Sequence, residues 1–415
     1  MVVACVELRF AAGTHDLYQL LLAVRPEEDG GREGVIATVD GLTVYDAFHD
    51  HEAASAIARL FRDGAHTEGE PATVAFHWSD QVRRPSGGRD VRMIGTEQSN
   101  TSLVFDSALI LKAFRRLEPG DNPELEMVRF LSARGFPNIP ALAGWYEYEG
   151  DVMDATLGVV QRFVEGGRDG WELALEDLAS EPEAFPGRLR ALGDVIGRMH
   201  TALASDPTDP AFAPEEPSAE GLSLITATID EQIERTFLDL PRNEPSVAPI
   251  LGRGEEVRER LRMLSQLGAG GRLIRHHGDL HLGQTLLADA GWIVLDFEGE
   301  PARSLRERRR KRSPLRDVAG MLRSFSYAAS AAGLQRGIAV PEGWEGRCRA
   351  AFLEGYFASV DPSLLPPGRA PTEQLLSIFE LEKAVYELRY ELDNRPDWVH
   401  IPVAGILRLL EEEPA

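Results

Sequence analysis

At 415 residues the chain is too long for one ordinary hydrophobic core, so two domains, or two lobes with an appendage, are expected. A net charge of −23 argues against nucleic acid and anionic membranes as partners. No apolar run reaches the roughly 18 residues of a transmembrane helix, and two distant cysteines, Cys5 and Cys348, make no disulfide framework, which favours a reducing cytoplasm.

The opening "MVVACVELRFAAG" carries Glu7 and Arg9 where a signal peptide needs apolar residues, and it reads as a strand. With "YQLLLAV" it forms a hairpin-like pair, and "HEAASAIARLF" (51–61) has helical spacing. "RRPSGGRD" (83–90) is a loop and a boundary, which makes 1–91 an N-terminal β-rich cap. Residues 92–170 read as a small β lobe. "TSLVFD" and "ALILKAFRR" are strands around a turn at Asp106-Ser107, and "NPELEMVRFLSARG" (122–135) is a punctuated helix. "ALAGWYEYE" and "LGVVQRFVEGG" add two strands. Residues 171–415 are mainly helical, at 186–205, 222–239, 254–266, 314–331, 343–359, 373–392 and 402–412. Short strands "RLIRH", "QTLLA" and "WIVLDF" interrupt them, and 206–221 is a surface loop. The expected fold class is α+β, two-lobed and protein-kinase-like (aminoglycoside-phosphotransferase-like), with the cap in front.

The chemistry concentrates in "RHHGDLHLGQTLLADAGWIVLDFEGEP" (275–301). Phosphoryl transfer needs an acceptor to align the nucleophile, cations on the phosphate oxygens and ligands for those cations. Asp279 stands five residues before Gln284, and a strand–turn–strand then delivers Asp296, followed by Phe297. Asp279 is the expected catalytic base; Gln284 and Asp296 are expected Mg²⁺ ligands, with Glu298 joining or supporting them. His277 is expected to pack and hydrogen-bond. Two other readings compete: "HGDLH" as a zinc pair, weakened by Gly278, and a solvated acidic loop, weakened by the apolar "WIVL".

Lys112 is one of only three lysines, with Lys311 and Lys383. It lies in an apolar strand, sharing a face with Ile110 and Phe114, and needs an anion. Glu124 and Glu126 are the candidates, Glu126 preferred. Ser99 and Asn100 in "GTEQSNTSLVF" could cover the phosphates of ATP, and the backbone from Gln161 to Val164 could meet adenine. "RERRRKR" (306–312) reads as a solvated charge run, and Asp317 as a buttress of the catalytic loop.

"GTEQSNTS", "ILKAFRR", "NPELE", "HHGDLHLGQ", "VLDFEGEP", "SPLRDVAGMLRSF" and "FELEKAVYELRYELDNRPDWVHIP" resemble the bacterial maltokinases, in order from about residue 92 to the C-terminus. The resemblance implies ATP- and Mg²⁺-dependent phosphorylation of maltose at its anomeric hydroxyl. The product, maltose 1-phosphate, would feed α-glucan and glycogen synthesis from trehalose-derived maltose. It also implies Asp279 as base, Gln284 and Asp296 on Mg²⁺, and Lys112 on the phosphates. The expected partners are maltose, ATP and trehalose- or maltose-converting enzymes, with neither nucleic acid nor membrane, for a monomer or dimer. Residues suited to a sugar are His281, Glu300, Tyr386, Glu387, Arg389, Tyr390 and Trp398. Two alternatives stand beside maltose: a related aminosugar (glucosamine) or aminoglycoside kinase, and a non-catalytic regulatory subunit of glucan synthesis.

Overall fold

The computed structural model describes residues 1–11, 13–26, 33–68, 72–80, 82–84, 90–94, 100–151, 153–266 and 270–411. The chain forms two compact units, Met1–Gly167 and Arg168–Ala415.

In the first unit a sheet runs in the order Val2–Arg9, His15–Pro26, Leu42–Asp46 and Val35–Val39, with Arg116–Leu117 also pairing on His15–Pro26. A seven-stranded antiparallel sheet follows the order His66–Glu68, Ala72–Trp78, Leu142–Gly150, Asp154–Arg162, Leu109–Phe114, Asn100–Phe105 and Val91–Ile94. It therefore draws strands from both sides of the boundary expected at residue 91. Gln19 ties the two sheets together. Its buried amide donates to Phe114 O and Leu157 O at 2.9 Å each, and its oxygen accepts from the Tyr146 hydroxyl at 2.8 Å.

The predicted helices are present for readable reasons. His51–Asp63 starts where the Asp50 carboxylate accepts from Ala53 N, and it stops at Gly64 in the left-handed region. Pro123–Ala133 starts at Asn122, whose side chain accepts from Glu124 N, with proline in the first turn. The turn at Asp106 and Ser107 carries two positive φ angles, the conformation that a two-residue hairpin needs.

The second unit is built from Gly170–Ser180, Ala184–Leu203, Ala219–Leu238, Gly254–Gln266, Leu315–Arg336, Trp344–Ser359, Arg369–Asn394 and His400–Glu411. A three-stranded sheet of Arg168–Asp169, Thr285–Ala288 and Gly291–Val294 is set among them. The buried Trp292 fixes the sheet to a helix, its indole N–H donating to Arg188 O at 3.1 Å.

Two expectations need correction. "RLIRH" makes no ladder, only isolated bridges of Leu273 to Glu215 and of Ile274 to Arg312, because the backbone after it turns to the Asp317 side chain. The 206–221 segment is a loop as far as Ser218, as expected, and it is anchored: Phe212 is buried, and Glu215 takes Lys311 Nζ at 2.6 Å. "RERRRKR" is more than a solvated run. Its first turn is the capped Leu305–Arg308 helix, and Arg312 pairs its backbone with Ile274.

Candidate active site

The loop His276–Gly283 is held from beneath by Asp317, on the Leu315–Arg336 helix. Asp317 Oδ2 accepts from His277 N at 2.7 Å, and Oδ1 accepts from Gly278 N at 2.9 Å. His200 Nε2 donates to Oδ2 at 3.0 Å, while its Nδ1 accepts from the Tyr356 hydroxyl at 3.1 Å. Burial opposes ionisation of Asp317, but the neighbouring imidazoles and the His200 hydrogen bond hold its carboxyl well below the usual range. The expected buttress is thus a buried anion fixed by three donors. Gly320 on the same helix permits the approach, since a Cβ there would meet Leu280 O at 2.6 Å. Gly278 bends the loop with φ +88°.

His277 is a packing and hydrogen-bonding residue, as its sequence context suggests. Its Nε2 lies 2.8 Å from Leu295 O, which can only accept, so Nε2 carries the proton and Nδ1 receives Asp279 N at 3.4 Å. With both ring nitrogens engaged, "HGDLH" forms no two-histidine metal pair. His281 Nδ1 accepts from Gly283 N at 3.1 Å and caps the Leu282–Gln284 turn. Burial lowers the His281 imidazole, against the pull of Asp279.

Strands Thr285–Ala288 and Gly291–Val294 then deliver Asp296. Its backbone has φ +56°, an unfavourable conformation for a non-glycine residue and the kind of local strain found at working sites. Gln284 Nε2 donates to Asp296 Oδ2 at 3.2 Å, and Asp296 and Glu298 bring carboxylate oxygens within 4.8 Å of each other. Two carboxylates and an amide are a hard-oxygen donor set that suits Mg²⁺. A half-turn of the Gln284 amide presents its carbonyl oxygen in place of its nitrogen, so these residues fit the ion.

A cavity of about 270 Å³ opens beside Asp279. Of the expected sugar residues, Glu300, Tyr386 and Arg389 line it, together with Lys383, Arg303 and Glu382, for which the sequence offered no sugar role. Lys383 Nζ lies 3.5 Å from Asp279 Oδ1 and 5.2 Å from the Tyr386 ring centre. Burial alone would lower the Lys383 ammonium, but Asp279, Glu387 and Glu300 hold it above its ordinary value. Its scarcity as a lysine was the signal for it. Burial, then the Glu300 hydrogen bond, raises the Tyr386 phenol. Arg303 Nε donates to Glu300 at 2.5 Å, and Arg316 pairs with Glu382 at 2.8 Å.

The remaining sugar candidates lie elsewhere. Glu387 is buried and takes Arg323 Nε and Nη2 at 2.9 and 2.8 Å, so it is a packing anion. Tyr390 is exposed, under the Arg395 guanidinium, and Trp398 stacks on Tyr327 at 6.0 Å. Helical spacing put Glu387 and Tyr390 near the site, but the Arg369–Asn394 helix turns them onto other faces, and Trp398 lies beyond that helix in the Pro396–Trp398 turn.

In the first unit Lys112 Nζ lies 3.7 Å from the buried Glu124, the other of the two candidate carboxylates. Lys112 and Ile110 lie on the less buried side, while Leu111 and Ala113 form the core face. Asn100 is buried at the start of its strand and pairs with Phe114; Ser99 lies outside the described residues. Gln161 is held between two strands, whereas Val164 lies past the end of its own.

No protein-family model matches the chain. Over 386 residues it is 26% identical to a glucosamine kinase of Streptacidiphilus jiangxiensis, covering 88% of this chain and 82% of the relative. A glucosamine kinase of Mycolicibacterium smegmatis is 26% identical over 352 residues, covering 81% and 82%. A crystal form of glucosamine kinase matches with TM-score 0.74 at 20% identity, over 99% of this chain and 91% of that one. The chain has the kinase-like fold of glucosamine kinase. A complex of glucosamine kinase with glucosamine, ADP and inorganic phosphate matches with TM-score 0.73 at 21% identity, over 98% and 91%. The glucosamine kinase fold accounts for the mixed α+β order expected above. Among the described residues no helix is long and apolar enough to cross a membrane.

Proposed function

We propose that this chain is an ATP-dependent sugar kinase and that its acceptor is glucosamine in preference to maltose. The carrying observation is Asp279 on the wall of a cavity shared with Lys383, Glu300 and Tyr386, in a chain 26% identical to glucosamine kinases over most of its length. That relationship supports the aminosugar alternative over the maltose reading drawn from the shorter motifs.

Asp279 aligns the acceptor hydroxyl and takes its proton as the oxygen attacks the γ-phosphate. Asp317 fixes the loop backbone, so Asp279 stays positioned without reorganising. Glu300, Tyr386 and Arg389 hydrogen-bond and pack against the sugar. Lys112, braced by Glu124, is the phosphate-binding cation of the nucleotide. Gln284, Asp296 and Glu298 hold Mg²⁺, which supplies neutralising charge on the phosphate oxygens when bound.

One observation favours maltose as a second reading. Each carboxylate on the cavity wall already has a donor, from Lys383 on Asp279 to Arg303 on Glu300 and Arg316 on Glu382, which suits neutral hydroxyls better than an ammonium. A trehalose- and glycogen-linked role, with its partner enzymes, belongs to that reading. A coupled assay with ATP and Mg²⁺ on glucosamine, maltose and glucose decides. Glucosamine should give the highest kcat/KM. A maltose rate above the glucosamine rate transfers the assignment, and no turnover on any sugar leaves a non-catalytic role.

A further inference from the structure

Six cationic and five anionic side chains line the cavity. The anions are all engaged: Glu307 caps its own helix through Ser304, Asp317 holds the loop, and the other three face Lys383, Arg303 and Arg316. The cations are not all matched. Among the described residues Arg312 has no carboxylate at salt-bridge distance, although it sits half-buried on the cavity wall. Its position is fixed, because its backbone both donates to and accepts from Ile274 at 2.9 Å.

Its neighbours make the omission costly. Burial first, then Arg316 and Arg303, push the Arg312 guanidinium down to about 10, a large displacement for the most persistent of side-chain cations. Arg308 also lines the cavity and directs Nη1 to Glu298 O at 3.2 Å. A guanidinium among like charges, on a cavity wall and with no carboxylate at salt-bridge distance among the described residues, is the arrangement that an oxyanion relieves.

We infer that the Arg312 side of this cavity is an anion subsite for a phosphate group, either free or carried on a sugar. A tetrahedral dianion fits better than a carboxylate, because Arg303, Arg308, Arg312 and Arg316 all line this cavity and a phosphate offers more charge and more acceptor oxygens. The subsite does not depend on the kinase reading, since it is measured without ATP or turnover.

Calorimetry on the full chain tests it, with inorganic phosphate, glucose 6-phosphate and glucose titrated separately. Phosphate should bind the wild type, and Arg312→Met should weaken binding by about tenfold or more, the usual effect of losing a charged hydrogen-bond partner. Arg306→Met, at an exposed position nearby, should bind like the wild type. Glucose 6-phosphate binding far tighter than phosphate assigns the site to a sugar-borne anion; equal affinities assign it to the free ion. If Arg312→Met does not fold, Arg312→Lys serves, with binding retained but weakened several-fold. No heat with either anion on the wild type, or equal affinity in the Arg312 variant, overturns the inference.

Discussion

Lys383 Nζ stands 3.5 Å from Asp279 Oδ1, although 104 residues separate them in the chain. The contact is long for a charge-assisted hydrogen bond, so it orients Asp279 without occupying it fully. Asp279→Asn should lower kcat by about 10²–10⁴-fold while leaving ATP affinity unchanged, as a lost proton acceptor would. Lys383→Met should lower kcat/KM for the acceptor by about tenfold, with Lys383→Arg recovering part of it. Steady-state kinetics with nucleotide titrations checks both. A Lys383→Met enzyme with unchanged acceptor kinetics would remove Lys383 from the site.

Arg323 and Glu387 bury a bidentate ion pair between the Leu315–Arg336 and Arg369–Asn394 helices. Removing one partner strands the other charge in a buried place. Glu387→Leu should cost about 3–5 kcal/mol in urea unfolding, yet leave the acceptor KM within about twofold below the unfolding range. A large KM increase at unchanged stability would return Glu387 to the sugar site.

Burial lowers the His276 imidazole from an ordinary 6.5 to about 3. The unfolded chain therefore binds the proton that the folded chain refuses. The resulting stability is complete above pH 6.5 and is lost as pH falls towards 3. The carboxyl of Asp317 is also held low, but its contribution fades only at more acid pH. Between pH 6.5 and about 4 the wild type should lose on the order of 2 kcal/mol that His276→Leu does not lose. Denaturant unfolding at the two pH values measures the difference, and parallel pH profiles in the two proteins would refute the assignment.

Local spacing made much of this protein legible. Helical periodicity located Arg369–Asn394, which the sequence places at 373–392, and Asn-Pro punctuation located Pro123–Ala133. The interval from Asp279 through Gln284 to Asp296 located the loop and hairpin that bring Gln284 to Asp296, because a loop and hairpin close on themselves within a few residues. The buttress role expected of Asp317 corresponds to its bonds to His277 N and Gly278 N.

The sequence by itself determined most of the elements and the loop–hairpin that brings Gln284 to Asp296, since both depend on side chains a few residues apart. Tertiary structure decided that Lys383 stands beside Asp279, which residues of the Arg369–Asn394 helix line the cavity, and that Arg312 belongs to its wall. Those outcomes depend on the rotation of each helix about its axis and on contacts between distant segments, and periodicity alone specifies neither.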